Sequence, residues 1–284
     1  MFEKLIAGWK VSSEVRKLVF KDKSIMIYPV VIALLSFIEL IAIAAVLFIP
    51  FAISSASQQA SNTITTVALV LFYIAVTFTS TFLSIAMLIA FRSFLSGKKI
   101  GLMAAINEAK PYAGLAFQWA LFYGIIVTVL RIFESRFRGV GSRIIGAVGS
   151  LALATSTLFV LPVILDEKAG PVDAIKKSAD FIVHNLGSSF GGIVYSDIYG
   201  TLLLLGAIAL AAIGFYTASF SVIAAVVLFL VAIVIFLAAL LVPSTTFTLY
   251  KLILYEHVAH GTKLPDGISK EALETSIGKI KKGK

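Results

Sequence analysis

A few polar side chains stand in long apolar runs of this sequence, and their types bound the chemistry it can do. Glu39 is the only charged residue between Ile25 and Ile49. A carboxylate in such a run either marks a proton or substrate path or forms a structural pair. Arg131, at the far end of the third run, is a candidate partner for it. Asp197 stands in IVYSDIYG between Tyr195, Ser196 and Tyr199. Arg92 is at matching depth and could pair with it, so a binding site and a structural pair are both open. Thr77, Thr79, Ser80, Thr81 and Ser84 crowd one stretch. Hydroxyls in a membrane helix either line a water path or return their hydrogen bonds to their own backbone. His257 and His260 could share a metal, but a third ligand and the H-E-x-x-H order are missing, so no metal is expected. No Walker motif, dinucleotide fingerprint or nucleophile elbow occurs. There is no cysteine, which excludes thiolate catalysis and disulfides. The sequence therefore offers no catalytic constellation and no cofactor site.

The elements that must carry these groups are membrane helices. Only 14% of the 284 residues are charged, against about 25% in soluble domains, and the mean hydropathy is +1.00. Runs of about 20 apolar residues cross a bilayer as helices. The runs predict spans at about 25–49, 63–91, 111–130, 144–165, 190–214 and 219–242. A surface helix is expected over 2–22, with Phe2, Leu5, Ile6 and Trp9 on one side. Pro243 is expected to kink or end the last span, with helix continuing through Tyr255. The expectation is an all-α polytopic bundle of six transmembrane helices with amphipathic cytoplasmic surface helices. Residues 1–262 would form a single membrane domain and 263–284 a mobile charged tail.

The densest pattern is FVLPVILDEKAGPVDAIKKSADFIVHNLG, from Phe159 to Gly187. Gly170 suits an N-cap and Pro171 a first helical position. Asp173, Lys176, Lys177, Asp180 and His184 share one stripe, and Val172, Ile175, Ala179, Ile182 and Leu186 the other. The spacing predicts a surface helix over 170–187. It would either lie in the headgroup region, presenting Lys176, Lys177 and His184 to lipid, or pack on its own protein. GLMAAINEA from Gly101 faintly repeats GPVDAIKKS from Gly170, which suggests duplicated units of a surface helix and a hairpin.

This stretch resembles the hallmark of an uncharacterised prokaryotic family of six-span membrane proteins. The wider group is similar to membrane domains attached to some glycerophosphodiester phosphodiesterases. The family pattern maps to Pro162, Glu167, Gly170, Ala174 and Ser178. The resemblance implies architecture; the phosphodiesterase domain is absent here, and its activity does not carry over.

All of the 24 lysines and arginines except Arg131, Arg136, Arg138 and Arg143 fall on one side of the six spans. The positive-inside rule then places both termini in the cytoplasm of a cell-membrane, multi-pass protein. The net charge of +9 points to anionic headgroups rather than nucleic acid. A protein partner or a homo-oligomer remains compatible. Small residues recur at steps of four at Ser142, Gly146, Ser150 and Ala154, and at Ser188, Gly192, Ser196 and Gly200. A further stripe runs through Ala207, Ala211 and Gly214, and depth pairs it with the first, so spans four and five are expected to touch. The leading functional reading is a non-enzymatic protein that organises lipid or scaffolds partners. The alternative is a transporter or channel with a path near Glu39, Asp197 and the span-two hydroxyls.

Overall fold

The computed structural model of the chain describes residues 2–52, 58–136 and 140–277, and every regular element among them is helical. The helices are α1 (Phe2–Lys21), α2 (Ile27–Ala52), α3 (Gln58–Leu95), α4 (Leu102–Ala109) and α5 (Ala113–Arg136). They continue with α6 (Val140–Ser156), α7 (Val160–Glu167), α8 (Pro171–His184), α9 (Leu186–Thr217), α10 (Val222–His260) and α11 (Lys270–Ile277). Six stretches are long and apolar enough to cross a membrane, α6 and α7 together making the fourth. The chain is an all-α, six-span membrane bundle. Its contacts divide it into two units, residues 1–29 with 184–284 and residues 30–183.

In the first unit, α9 and α10 form a hairpin whose two halves differ. From Val222 to Leu240, α10 exposes Ile223, Leu230, Val234 and Leu237, the surface expected against acyl chains. Beyond Pro243 the same helix buries Leu249, Tyr250, Leu252 and Leu254 completely. That buried half packs against α9 and α1, and α11 in turn packs on α1 and α9. Val11 and Val15 of α1 have no exposed surface, and neither has Leu273 of α11. Burying one leucine is worth about 2 kcal/mol, one contribution against the cost of ordering the helix. Ser269 caps α11 towards Ala272, and its own N–H donates to Glu14 at 2.8 Å. Residues 270–277 are thus packed on the protein, where the sequence suggested a mobile tail. The reason is Leu273 with Ala272 and Ile277, an apolar stripe hidden among lysines and glutamates. Residues 278–284 lie outside the described residues.

Small residues let this hairpin close. A side chain at Gly191 would meet Gly8 Cα at 2.8 Å and the Leu5 carbonyl at 2.9 Å. One at Gly200 would meet the Pro243 ring at 3.2 Å and one at Gly214 the Leu228 side chain at 3.3 Å. Gly200 and Gly214 therefore pack on α10, as do Ala207 and Ala211, which face Phe229, Ala232 and Phe236. The sequential antiparallel neighbour α10 takes that outer stripe. Ser142, Ser188 and Gly192 lie outside the residues whose side chains are described.

In the second unit the core again sits at the basic end of the helices. Ile85, Ala86, Leu88 and Phe91 of α3 are fully buried, together with Ala116 and Ala120 of α5 and Val163 and Ile164 of α7. The faint repeat has a structural counterpart: α4 and α8 both begin one residue after a glycine. Their register-matched Ala105 and Ala174 are both completely buried, as are Ala109 and Ser178. α2 exposes Leu34, Phe37 and Ile38.

Candidate functional site

Span four is not the continuous helix that the apolar run predicts. It stops at Ser156, turns through residues 157–159 and restarts at Val160. Pro162 is the cause. Proline has no N–H, and in a helix interior its ring clashes with the carbonyl four residues back, here Leu158. Restarting at Val160 puts Pro162 in the first turn of α7, where a missing N–H is harmless. The turn tightens, with Leu158 N–H donating to Thr155 O at 3.2 Å and Val160 N–H to Thr157 O at 3.2 Å. That leaves the Phe159 N–H, which donates to Ser178 Oγ at 3.0 Å in a buried setting. A break at membrane depth is tolerated only where its backbone groups are met by protein or line a cavity, and here α8 supplies the acceptor.

The α7–α8 hairpin is tied at several levels. The Phe159 and Phe181 rings meet at a 48° tilt, 4.5 Å between centres. Lys177 forms an ion pair with Glu167, and Arg92 at the end of α3 forms one with Asp166. The Tyr112 hydroxyl donates to the Leu165 carbonyl at 3.2 Å. Lys168 takes a left-handed conformation, φ 50°, to turn the chain between the two helices. Gly170 precedes α8 and its carbonyl accepts from Ala174 N–H at 2.8 Å. All five residues of the sequence pattern thus serve one hairpin: Pro162 starts α7, Glu167 pairs across the turn, Gly170 starts α8, and Ala174 and Ser178 pack inward. Of the apolar stripe read from the sequence, Ile182 is buried but Val172 is exposed. The buried face of α8 is instead Ala174, Ser178, Phe181 and Ile182, which packs on the chain itself. Lys176, Lys177 and His184 face outward.

Beside the break lies a cavity of about 430 Å³. Thr77, Ser80, Thr81 and Ser84 of α3 line it, with Trp119 and Tyr123 of α5 and Thr157, Val160 and Leu161 of the broken span. Every described residue lining it is uncharged. Spacings of three and four put these α3 hydroxyls on one face. Thr157, Trp119 and Tyr123 escaped the sequence reading, although Pro162 after the Thr155–Ser156–Thr157 run was a usable signal for a polar break.

The other sequence candidates go elsewhere. Glu39 accepts a hydrogen bond from Thr79 at 2.7 Å, and its second oxygen is buried with no hydrogen-bond partner among the described residues. It lines a separate apolar cavity of about 510 Å³ between α2 and α3, with Ala42, Val46, Ala68 and Leu71. Thr79 lies off the face that carries Ser80 and Ser84, and Phe72 lines both cavities. The side chain of Arg131, its expected partner, lies outside the described residues, as do those of Arg136, Arg138 and Arg143. Arg92 pairs with Asp166, which sits on the helix that packs beside the end of α3. Asp197 is an exposed residue of α9. The histidines finish α10: His257 Nδ1 lies 2.8 Å from the Thr262 carbonyl, and the His260 ring stands edge-on to Tyr255 at 5.8 Å. No group of three or more potential metal ligands occurs among the described residues.

Known proteins add a family but no chemistry. No curated protein and no solved structure is similar to this chain. A model of a family of unknown function, DUF6159, matches residues 61–264. The matched stretch runs from α3 to just past α10 and includes the broken span, the cavity and the α7–α8 hairpin. Nothing in it ties the chain to the membrane domains of glycerophosphodiester phosphodiesterases. With most of its length matched, this six-span membrane protein belongs to the DUF6159 family.

Proposed function

We propose that the protein is a transporter or channel for a small uncharged polar solute, bound midway across the membrane in the hydroxyl-lined cavity. The observation that carries this is the convergence of Thr77, Ser80, Thr81 and Ser84 on the break in span four. Discontinuous membrane helices recur at the depth where transporters hold their substrates. Hydroxyls offer both donors and acceptors, and the lack of a charge among the lining residues favours a neutral ligand. Aromatic walls at Trp119 and Tyr123 suit a solute with an apolar side. Glu39 lines a neighbouring cavity that shares Phe72 with this one.

The native chain has no cysteine, so single cysteines report directly. Ser80→Cys and Ser84→Cys are expected to react with a small impermeant thiosulfonate in vesicles, while Leu88→Cys in the packed core stays unreactive. Osmotic shrinkage of proteoliposomes by glycerol should relax faster than that of protein-free vesicles, and Ser80→Phe should abolish the difference. Unreactive cysteines together with unchanged relaxation would reject the path.

A second reading, lipid organisation or partner scaffolding, is supported by the outward stripe of Lys176, Lys177 and His184 on α8. The charge distribution supports cytoplasmic termini and a cytoplasmic α8 under either reading. Cysteines at positions 4 and 176 should then resist an external thiol reagent, while one at 136 reacts. The opposite labelling would invert the topology.

A further inference from the structure

We propose that Arg16 forms a binding site for the phosphate of an anionic phospholipid at the basic end of the α9–α10 hairpin. The site is independent of the hydroxyl cavity. In the first unit α1 runs alongside α9 in the same direction, bringing Gly8 to Gly191 and Arg16 to Tyr199. The Arg16 guanidinium lies 4.4 Å from the Tyr199 ring centre and 6.0 Å from that of Tyr195. Tyr195 and Tyr199 stack at 5.9 Å, and Trp9 stands edge-on to Tyr195 at 4.9 Å.

The level of this cluster is set by its neighbours. One residue further along α9, Gly200 meets Pro243. Past that crossing both helices expose apolar side chains, among them Leu202, Leu205, Leu237 and Leu240. On the near side α1 exposes Lys10, Lys17 and Lys21. Arg16 therefore sits where acyl chain gives way to headgroup, amid the Trp and Tyr side chains that favour that layer.

Its charge has no acid to answer it. Among the described residues no carboxylate lies within ion-pair distance of Arg16, and its Nε is buried without an acceptor. Glu14 is bonded to Ser269 and Asp22 to Ser24. Asp197 is turned about 200° around α9 from both Tyr195 and Tyr199. The cation–π contact with Tyr199 positions the guanidinium, and Arg16 is partly exposed, which leaves N–H donors for an outside acceptor. A phosphate diester fits this fork, accepting two parallel hydrogen bonds and neutralising the charge. Lys17 and Lys21 would add longer-range attraction to an anionic leaflet.

Trp9 provides the readout. The chain has two tryptophans, so Trp119→Phe leaves Trp9 alone beside Tyr195. The full chain, in an uncharged detergent, is titrated with short-chain phosphatidylglycerol, with phosphatidylcholine of equal chain length, and with inorganic phosphate. The expected result is a saturable change in Trp9 emission with phosphatidylglycerol. Half-saturation should rise at least tenfold in Arg16→Gln, several-fold in Arg16→Lys, and less than twofold in Lys17→Gln. Equal responses to the two lipids, or an unchanged Arg16→Gln titration, would overturn the site. Saturation by inorganic phosphate alone would overturn the lipid assignment in favour of a free phosphate ligand. Native mass spectrometry of the wild-type chain in an equimolar lipid mixture removes dependence on variant folding. Preferential retention of phosphatidylglycerol is expected, and equal retention would count against the proposal.

Discussion

Two prolines stand near the basic ends of membrane helices in this protein, and the helices respond differently. Pro243 lies inside α10, which continues to His260. Pro162 lies in span four, which breaks three residues earlier. Each removes one backbone donor and crowds the carbonyl four residues back. At Pro243 that carbonyl, Ala239, faces the bare Cα of Gly200, and the proline ring packs into the same notch. The neighbouring helix has given up its side chain, so α10 can bend slightly and stay whole. At Pro162 the helix ends instead, and Ser178 of α8 accepts the stranded Phe159 N–H. One hairpin is dry and closed by glycine; the other is opened by a hydroxyl-lined gap. The lesson is that a membrane proline does not set its own outcome: the helix across from it does.

The largest expected effect breaks the glycine side of this comparison. Gly191→Leu must push backbone apart at Gly8 and Leu5, costing ~3 kcal/mol or more. It should appear as a large drop in apparent melting temperature, and a wild-type value would mean that α1 does not dock on α9 this closely. Next comes the break itself. Ser178→Ala leaves the Phe159 N–H buried without its acceptor, at a cost of ~1–3 kcal/mol. Ser178→Thr, which keeps the hydroxyl, should retain more stability than alanine does. Equal losses would show that size and not the hydrogen bond matters there.

The cavity offers a smaller, sharper contrast. Ser80→Leu adds bulk comparable to the first variant but into open space beside the break. Its change should stay below ~1 kcal/mol, since no packed backbone has to move. A drop as large as that of Gly191→Leu would mean the cavity is filled. The smallest effect is expected at Lys177→Gln, where the pair with Glu167 is half exposed and worth under ~0.5 kcal/mol. A larger loss would make that ion pair a true fastener of the hairpin.

Much of this architecture was legible in the order of residues. Apolar runs located all six spans, because a bilayer demands about 20 apolar residues and penalises unpaired charge. Gly170 and Pro171 marked the start of α8, because capping is decided within one turn. The hydroxyls of span two were visible as a cluster, and helical spacing put Thr77, Ser80, Thr81 and Ser84 on one face. Tertiary structure decided what those groups meet. Arg92 found Asp166, a partner 74 residues away, when depth alone had suggested Asp197. Leu273 turned a charged C-terminal stretch into a packed helix, because α1 offered it an apolar face. The break at residues 157–159 needed Ser178 from a different helix to hold it, and the cavity needed three helices to wall it. Periodicity and capping are local physics and can be read along the chain. Pairing, burial and cavities depend on which surfaces meet, and only the fold brings those surfaces together.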